Sequence, residues 1–178
     1  MNPQTATIDT TTLIQGFKIT NGAASNGAGM LIVSAQPNLV NLYVTGNTAT
    51  ADGGGVYIYD GSPRIMNCII SANTVERNGA GIYFNGSESS LYIENVTFSD
   101  NIITDMGGGG GLFIKNGDVR VKSSLFYGNN SEGKYGGGIY CNSAQLKLEI
   151  CEFRNNESKL KGEDFDIPYC YTINHYND

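Results

Sequence analysis

The chain of 178 residues has no tryptophan, one histidine (His175), four prolines, and only 11 lysines and arginines against 17 acidic residues. Each scarcity removes a class of function. With a net charge of −6 and a pI of about 4.7 there is no basic footprint for binding nucleic acid, and the same balance argues against a polyanionic ligand. No apolar run reaches the roughly 18 residues of a membrane-crossing helix. The opening MNPQTATIDTTTLIQGF lacks the basic region and apolar core of a signal peptide, although a mature or excised form of a secreted parent would read the same way. Cys68, Cys141, Cys151 and Cys170 show no CxxC spacing, so no zinc site is expected, and neither another metal nor a cofactor is implied.

What is abundant is glycine, at 24 residues, while charged residues make up only 16%. This suits an all-β, turn-rich chain. The segments FKIT, LYVTGN, CIISAN, VTFSDN, SLFYGN and CEFRNN align Ile19, Val44, Ile70, Phe98, Phe126 and Phe153, at intervals of 25 to 28 residues. Asn47, Asn73, Asn101, Asn129 and Asn156 follow in step. A glycine motif keeps the same period through NGAGMLI, DGGGVYI, NGAGIYF, GGGGLFI and YGGGIYC.

Within each segment apolar residues alternate with period two, which is the spacing of a strand. Inward residues on the strand after glycine are then Val56/Ile58, Ile82/Phe84, Leu112/Ile114 and Ile139/Cys141. A unit of about 27 extended residues traces roughly 90 Å, enough for three short strands and three bends in one closed turn. Stacking such turns gives a parallel β-helix of about six coils spanning residues 11–167, with 1–10 and 168–178 as irregular ends of one domain. Asn41, Asn67 and Asn95 are expected to stack as amides at a bend. The leucine-rich-repeat pattern also fits Leu39 to Asn47, but each repeat continues into glycines and then VYIY, IYF, LFI or IYC, which favour strands over helix.

The paired motifs FSDN, FYGN and FRNN with GGGVY, GAGIY, GGGLF and GGGIY resemble the repeats of chlamydial polymorphic outer membrane proteins and of related pectin-lyase-like β-helix proteins. The opening GFKITNG is similar to a phrase common among them. The resemblance implies a secreted or cell-surface module, often an adhesin, built on a right-handed parallel β-helix. It leaves transport and anchoring open, because neither a signal peptide nor a C-terminal barrel is seen. An uncapped first coil leads us to expect a segment of, or building block for, a larger assembly, possible fibres included.

For chemistry, the outward column Leu31, Tyr57, Tyr83, Phe113, Tyr140 and Asp166 offers one carboxylate, too few for a calcium-assisted lyase. Glu94 and Glu149 lie two rungs apart, about 9.6 Å, which suits only an inverting glycosidase. Lys122 stands between them, so the three read as a ladder of ion pairs. The run Gly107–Gly111 lacks the Lys-Ser/Thr of a phosphate loop. Non-enzymatic adhesion or assembly is therefore the leading expectation, through coil ends or a lateral face contacting protein, glycan or another copy; a carbohydrate-active β-helix enzyme is the alternative. The aromatic column Tyr57, Tyr83, Phe113 and Tyr140 is the candidate binding face. Asn85 is the candidate glycan acceptor, its fellow N-x-S/T residues Asn95, Asn129 and Asn156 being assigned to internal ladders, and Cys141 with Cys170 the candidate disulfide.

Overall fold

A computed structural model describes residues 7–133, 135–160, 162–166 and 171–175. The chain winds as a parallel β-helix: among the described residues every strand pair is parallel, and the register is continuous except between Ala23–Asn26 and Thr48–Asp52, where it shifts between Ala24 and Asn26. One coil shows the unit: Arg64–Met66, Ile69–Ser71, Thr74–Val75 and Ile82–Asn85. Among the described residues these belong to four sheets, here A, B, C and D, holding seven, six, six and six strands.

The expected three strands per coil are thus four. The additional sheet C begins one residue after each inward asparagine and in four of its strands is only two residues long, as in Thr74–Val75, Ile102–Ile103 and Asn130–Ser131. A two-residue strand has no period to read in a sequence, so the alternation that reveals the other sheets is silent there. Tyr171–His175, assigned by sequence to an irregular end, forms the seventh strand of sheet A beside Gln145–Glu149.

The core is the stack of inward columns. Val56, Ile58, Ile82, Phe84, Leu112, Ile114, Ile139 and Cys141 are all buried, and Phe98, Phe126 and Phe153 form an internal ring stack at 4.5 and 4.9 Å between centroids. Identical positions meet because coils repeat at the strand spacing of about 4.8 Å. Glycine at the turn into sheet D has a steric cause: a Cβ on Gly55 would lie 2.6 Å from Gly81 O and 2.9 Å from Asn73 Nδ2.

The asparagines divide into two kinds. Asn47, Asn73, Asn101 and Asn129 are fully buried at the end of sheet B, with Asn156 nearly so. Asn73 Nδ2 donates to Val44 O and to Asn101 Oδ1, both at 3.0 Å; Asn101 Nδ2 donates to Ile70 O and Asn129 Oδ1, both at 2.9 Å. Each side-chain oxygen also accepts the backbone N–H of the preceding rung, as in Asn73 N to Asn101 Oδ1 at 3.2 Å. The expected amide stack at Asn41, Asn67 and Asn95 is reduced to one link, Asn95 Nδ2 to Asn67 Oδ1 at 2.8 Å, and all three are exposed. Their shared property is backbone: φ is 52°, 54° and 54°, the left-handed region that asparagine tolerates better than most residues.

Candidate functional site

Sheet A turns a mixed basic and aromatic strip outward. Strand pairing places Arg64, Tyr92, Arg120 and Lys147 side by side on successive coils. The Tyr92 ring lies between two guanidiniums, with Arg64 Cζ 4.6 Å and Arg120 Cζ 5.9 Å from its centroid. Stacking of this kind restrains two long side chains and so lowers the entropy lost when they engage a ligand. The strip and the neighbouring column Ser90, Asp118 and Gln145, two residues earlier on the same strands, line an open groove of about 430 Å³.

Next to the strip sits a set of ion pairs. Lys122 Nζ meets Glu94 Oε1 at 2.8 Å, and Tyr92 Oη donates to Glu94 Oε2 at 2.8 Å. Glu149 is paired not with Lys122, as the alternating ladder Glu94, Lys122, Glu149 suggested, but with Arg120 at 2.9 Å and Lys147 at 2.8 Å. Lys147 reaches it from two residues away on the same strand. Arg64 has no ion-pair partner among the described residues. Four cations, Arg64, Arg120, Lys122 and Lys147, face three carboxylates, Glu94, Asp118 and Glu149, so this face is locally positive on a chain of net charge −6.

The same pairs define the carboxylates' chemistry. Arg120, then Lys147, hold the Glu149 carboxyl down at about 2, and Lys122 with Tyr92 lowers Glu94. A glycosidase acid must instead be raised so that it carries a proton near neutrality. Both residues remain ionised, which removes the proton donor from the one carboxylate pair the sequence offered. A pH dependence follows. Because the Glu149 value falls from 4.5 in the unfolded chain to about 2 when folded, its stabilising contribution is complete above about pH 4.5 and disappears as pH drops toward 2. The thermal midpoint of wild type is expected to fall more steeply across that window than that of Glu149→Gln, and less so in high salt. Identical profiles would show that these pairs add nothing to folding.

On sheet D the predicted aromatic column forms: Tyr57, Tyr83, Phe113 and Tyr140 stack at 4.9, 5.0 and 5.1 Å. Exposure differs along it. Tyr83 and Phe113 are only 6% and 8% exposed, whereas Tyr57 and Tyr140 at the ends are half-buried. A ring with a neighbour on each side has both faces covered, so the middle of the column is scaffold and only its ends present aromatic surface. Burial, helped by Asp52, raises the Tyr57 and Tyr83 hydroxyls, which keeps them protonated donors at neutral pH. Tyr135, which opens its glycine motif where Asn26, Asp52, Asn78 and Gly108 open the others, lies 5.4 Å from Tyr140 and tilted by 35°.

Cys141 is disulfide-bonded, while Cys68 and Cys151 are free and their thiols are raised by burial. Cys170, the expected partner of Cys141, lies outside the described residues. Asn85 is half-buried, and its Oδ1 accepts from Asn116 Nδ2 at 3.0 Å. Asn129 and Asn156 are locked inside the buried ladder as expected, but Asn95 is exposed, because the left-handed corner points its amide away from the core.

A family model described as right handed beta helix region matches residues 6–98 and again 34–162. The chain belongs to the right-handed β-helix family. The two matches overlap because one repeat register serves the chain twice, the mark of a solenoid whose coils are interchangeable. Neither curated proteins nor solved structures give a match to this β-helix. Membership establishes architecture, and a solenoid of this kind supports many activities.

Proposed function

We propose that this β-helix is a non-enzymatic adhesion module of the cell exterior, and that its lateral sheet A face holds an acidic glycan. The observation that carries the reading is the Arg64–Tyr92–Arg120 sandwich, continued by Lys147 along an open groove. Whole-chain charge argues against such a ligand, but attraction at contact depends on the local field, and this face is positive. The disulfide at Cys141 supports an oxidising compartment. Downward-shifted Glu94 and Glu149 support binding without turnover.

The test is calorimetry with polygalacturonate and with heparin, which separate carboxylate from sulfate recognition. Binding that weakens with added salt, and falls at least about tenfold in Arg64→Ala/Lys147→Ala, is the expected result. Absence of binding to both polymers would sink the acidic-glycan reading. New reducing ends appearing in either polymer would replace adhesion with the enzyme alternative.

A further inference from the structure

The aromatic column does not end bluntly. Where half-buried Tyr140 covers the buried Phe113 ring, Met106, Tyr135, Asn78 and Asn142 join them to line a pocket of about 290 Å³. It lies on sheet D and the turns leading into it, and shares no lining residue with the groove of sheet A. We infer that this pocket is a second binding site, and that it takes a single uncharged sugar ring.

Its floor is open because residue 108 is glycine. A Cβ there would lie 3.0 Å from Tyr140 Cγ and 2.9 Å from Tyr135 O, so any side chain would press on the two tyrosines. The walls are held in place. Asn78 Oδ1 accepts from Gly108 N at 3.3 Å while its Nδ2 donates to Asp52 Oδ1 at 2.8 Å. Phe113 is clamped between Tyr83 and Tyr140. A pre-ordered pocket loses little entropy on binding.

Three properties select the ligand. The first is charge: among the described residues no ionisable acid or base other than tyrosine lines the pocket, so a charged group entering it would lose water without gaining a counter-ion. The second is mixed polarity. Phe113, Tyr140 and Met106 give the lining apolar residues, yet Asn142 Nδ2 and Tyr135 Oη have no hydrogen-bond partner among the described residues, while Asn142 Oδ1 is occupied by Ser143 Oγ at 3.1 Å. Free polar groups beside aromatic carbon match a molecule with hydroxyls around a C–H surface, which is a pyranose rather than an aliphatic side chain. The third is size: the volume sits at the lower end of small-molecule pockets, which begin at about 300 Å³, enough for one ring at a chain end and not for a polymer threading through.

The inference is independent of the acidic-glycan reading, and the controls keep the two apart. Saturation-transfer NMR would be recorded on the full chain with the methyl glycosides of glucose, galactose and N-acetylglucosamine, and with methyl glucuronide as the charged comparison. Transfer is expected from at least one neutral glycoside. Its affinity should fall about fivefold in Tyr135→Phe and about tenfold in Asn142→Leu, each variant losing one hydrogen-bonding group. Arg64→Ala, which disarms sheet A, should leave it unchanged. Met106→Ala alters an exposed wall residue, 67% accessible, and provides a variant with little effect on folding that should also weaken transfer. No transfer from any neutral glycoside, equal transfer from wild type and all three pocket variants, or a preference for the glucuronide would each overturn the proposal.

Discussion

Replacing Asn101 with leucine is expected to destabilise the β-helix by about 2–4 kcal/mol, although leucine nearly matches its volume and the position is fully buried. The reason lies with its neighbours. Asn101 Oδ1 accepts both the backbone N–H and the side-chain amide of Asn73, at 3.2 and 3.0 Å, and Asn101 Nδ2 satisfies Ile70 O at 2.9 Å. Leucine leaves Asn73 N without an acceptor in a place water cannot reach, and an unpaired buried polar group costs about 1–3 kcal/mol. It also divides a five-rung ladder into two short pieces. Urea unfolding would show the effect as a lower midpoint at unchanged slope. A loss below about 0.5 kcal/mol would mean that the ladder merely occupies space. Domains of this kind are stable by only about 5–15 kcal/mol, so the expected change is a large fraction of the whole.

The second large effect is expected at Phe126. Its ring is fully buried and lies between Phe98 at 4.5 Å and Phe153 at 4.9 Å, nearly parallel to both. Phe126→Ala removes the ring and leaves a cavity whose neighbours are fixed by the strand spacing above and below, so collapse is limited. The expected loss is about 3–5 kcal/mol. Phe126→Leu, which keeps most of the apolar volume, should lose much less. The pair of variants separates cavity formation from the stacking of rings: equal losses would show that the stack matters more than the volume. Guanidinium unfolding monitored by circular dichroism provides the comparison.

How far the sequence could be read depended on whether a role repeats. Phe98, Phe126 and Phe153 recur at 28 and 27 residues, and alternation with polar neighbours places them inside. The glycine motif was legible for the same reason. The candidate sites were less so. Tyr135 is the one aromatic residue in the column that Asn26, Asp52, Asn78 and Gly108 begin, so the period does not announce its contact with Tyr140, and Met106 enters the pocket from an irregular turn. On sheet A the alternation that turns Glu94, Lys122 and Glu149 outward also turns Arg64, Tyr92, Arg120 and Lys147 outward, but it does not show the sandwich they make. Lys122 illustrates the difficulty. It has glutamates on both adjacent rungs, Glu94 and Glu149, and its pairing with Glu94 follows from competition, because Arg120 and Lys147 already claim Glu149.

The order of residues along the chain established the solenoid, its period, its inward columns and the close-packed glycines. A constant repeat of alternating residues has one economical way to bury itself, which is to stack upon its own copies. Three-dimensional packing settled the rest: the fourth sheet, which asparagine column lies inside, which rings keep an open face, and which cation meets which carboxylate. Coils 25 to 28 residues apart in sequence are about 4.8 Å apart in space. At that distance several partners compete for each side chain, and corner geometry and neighbouring charges, which a linear pattern does not contain, decide between them.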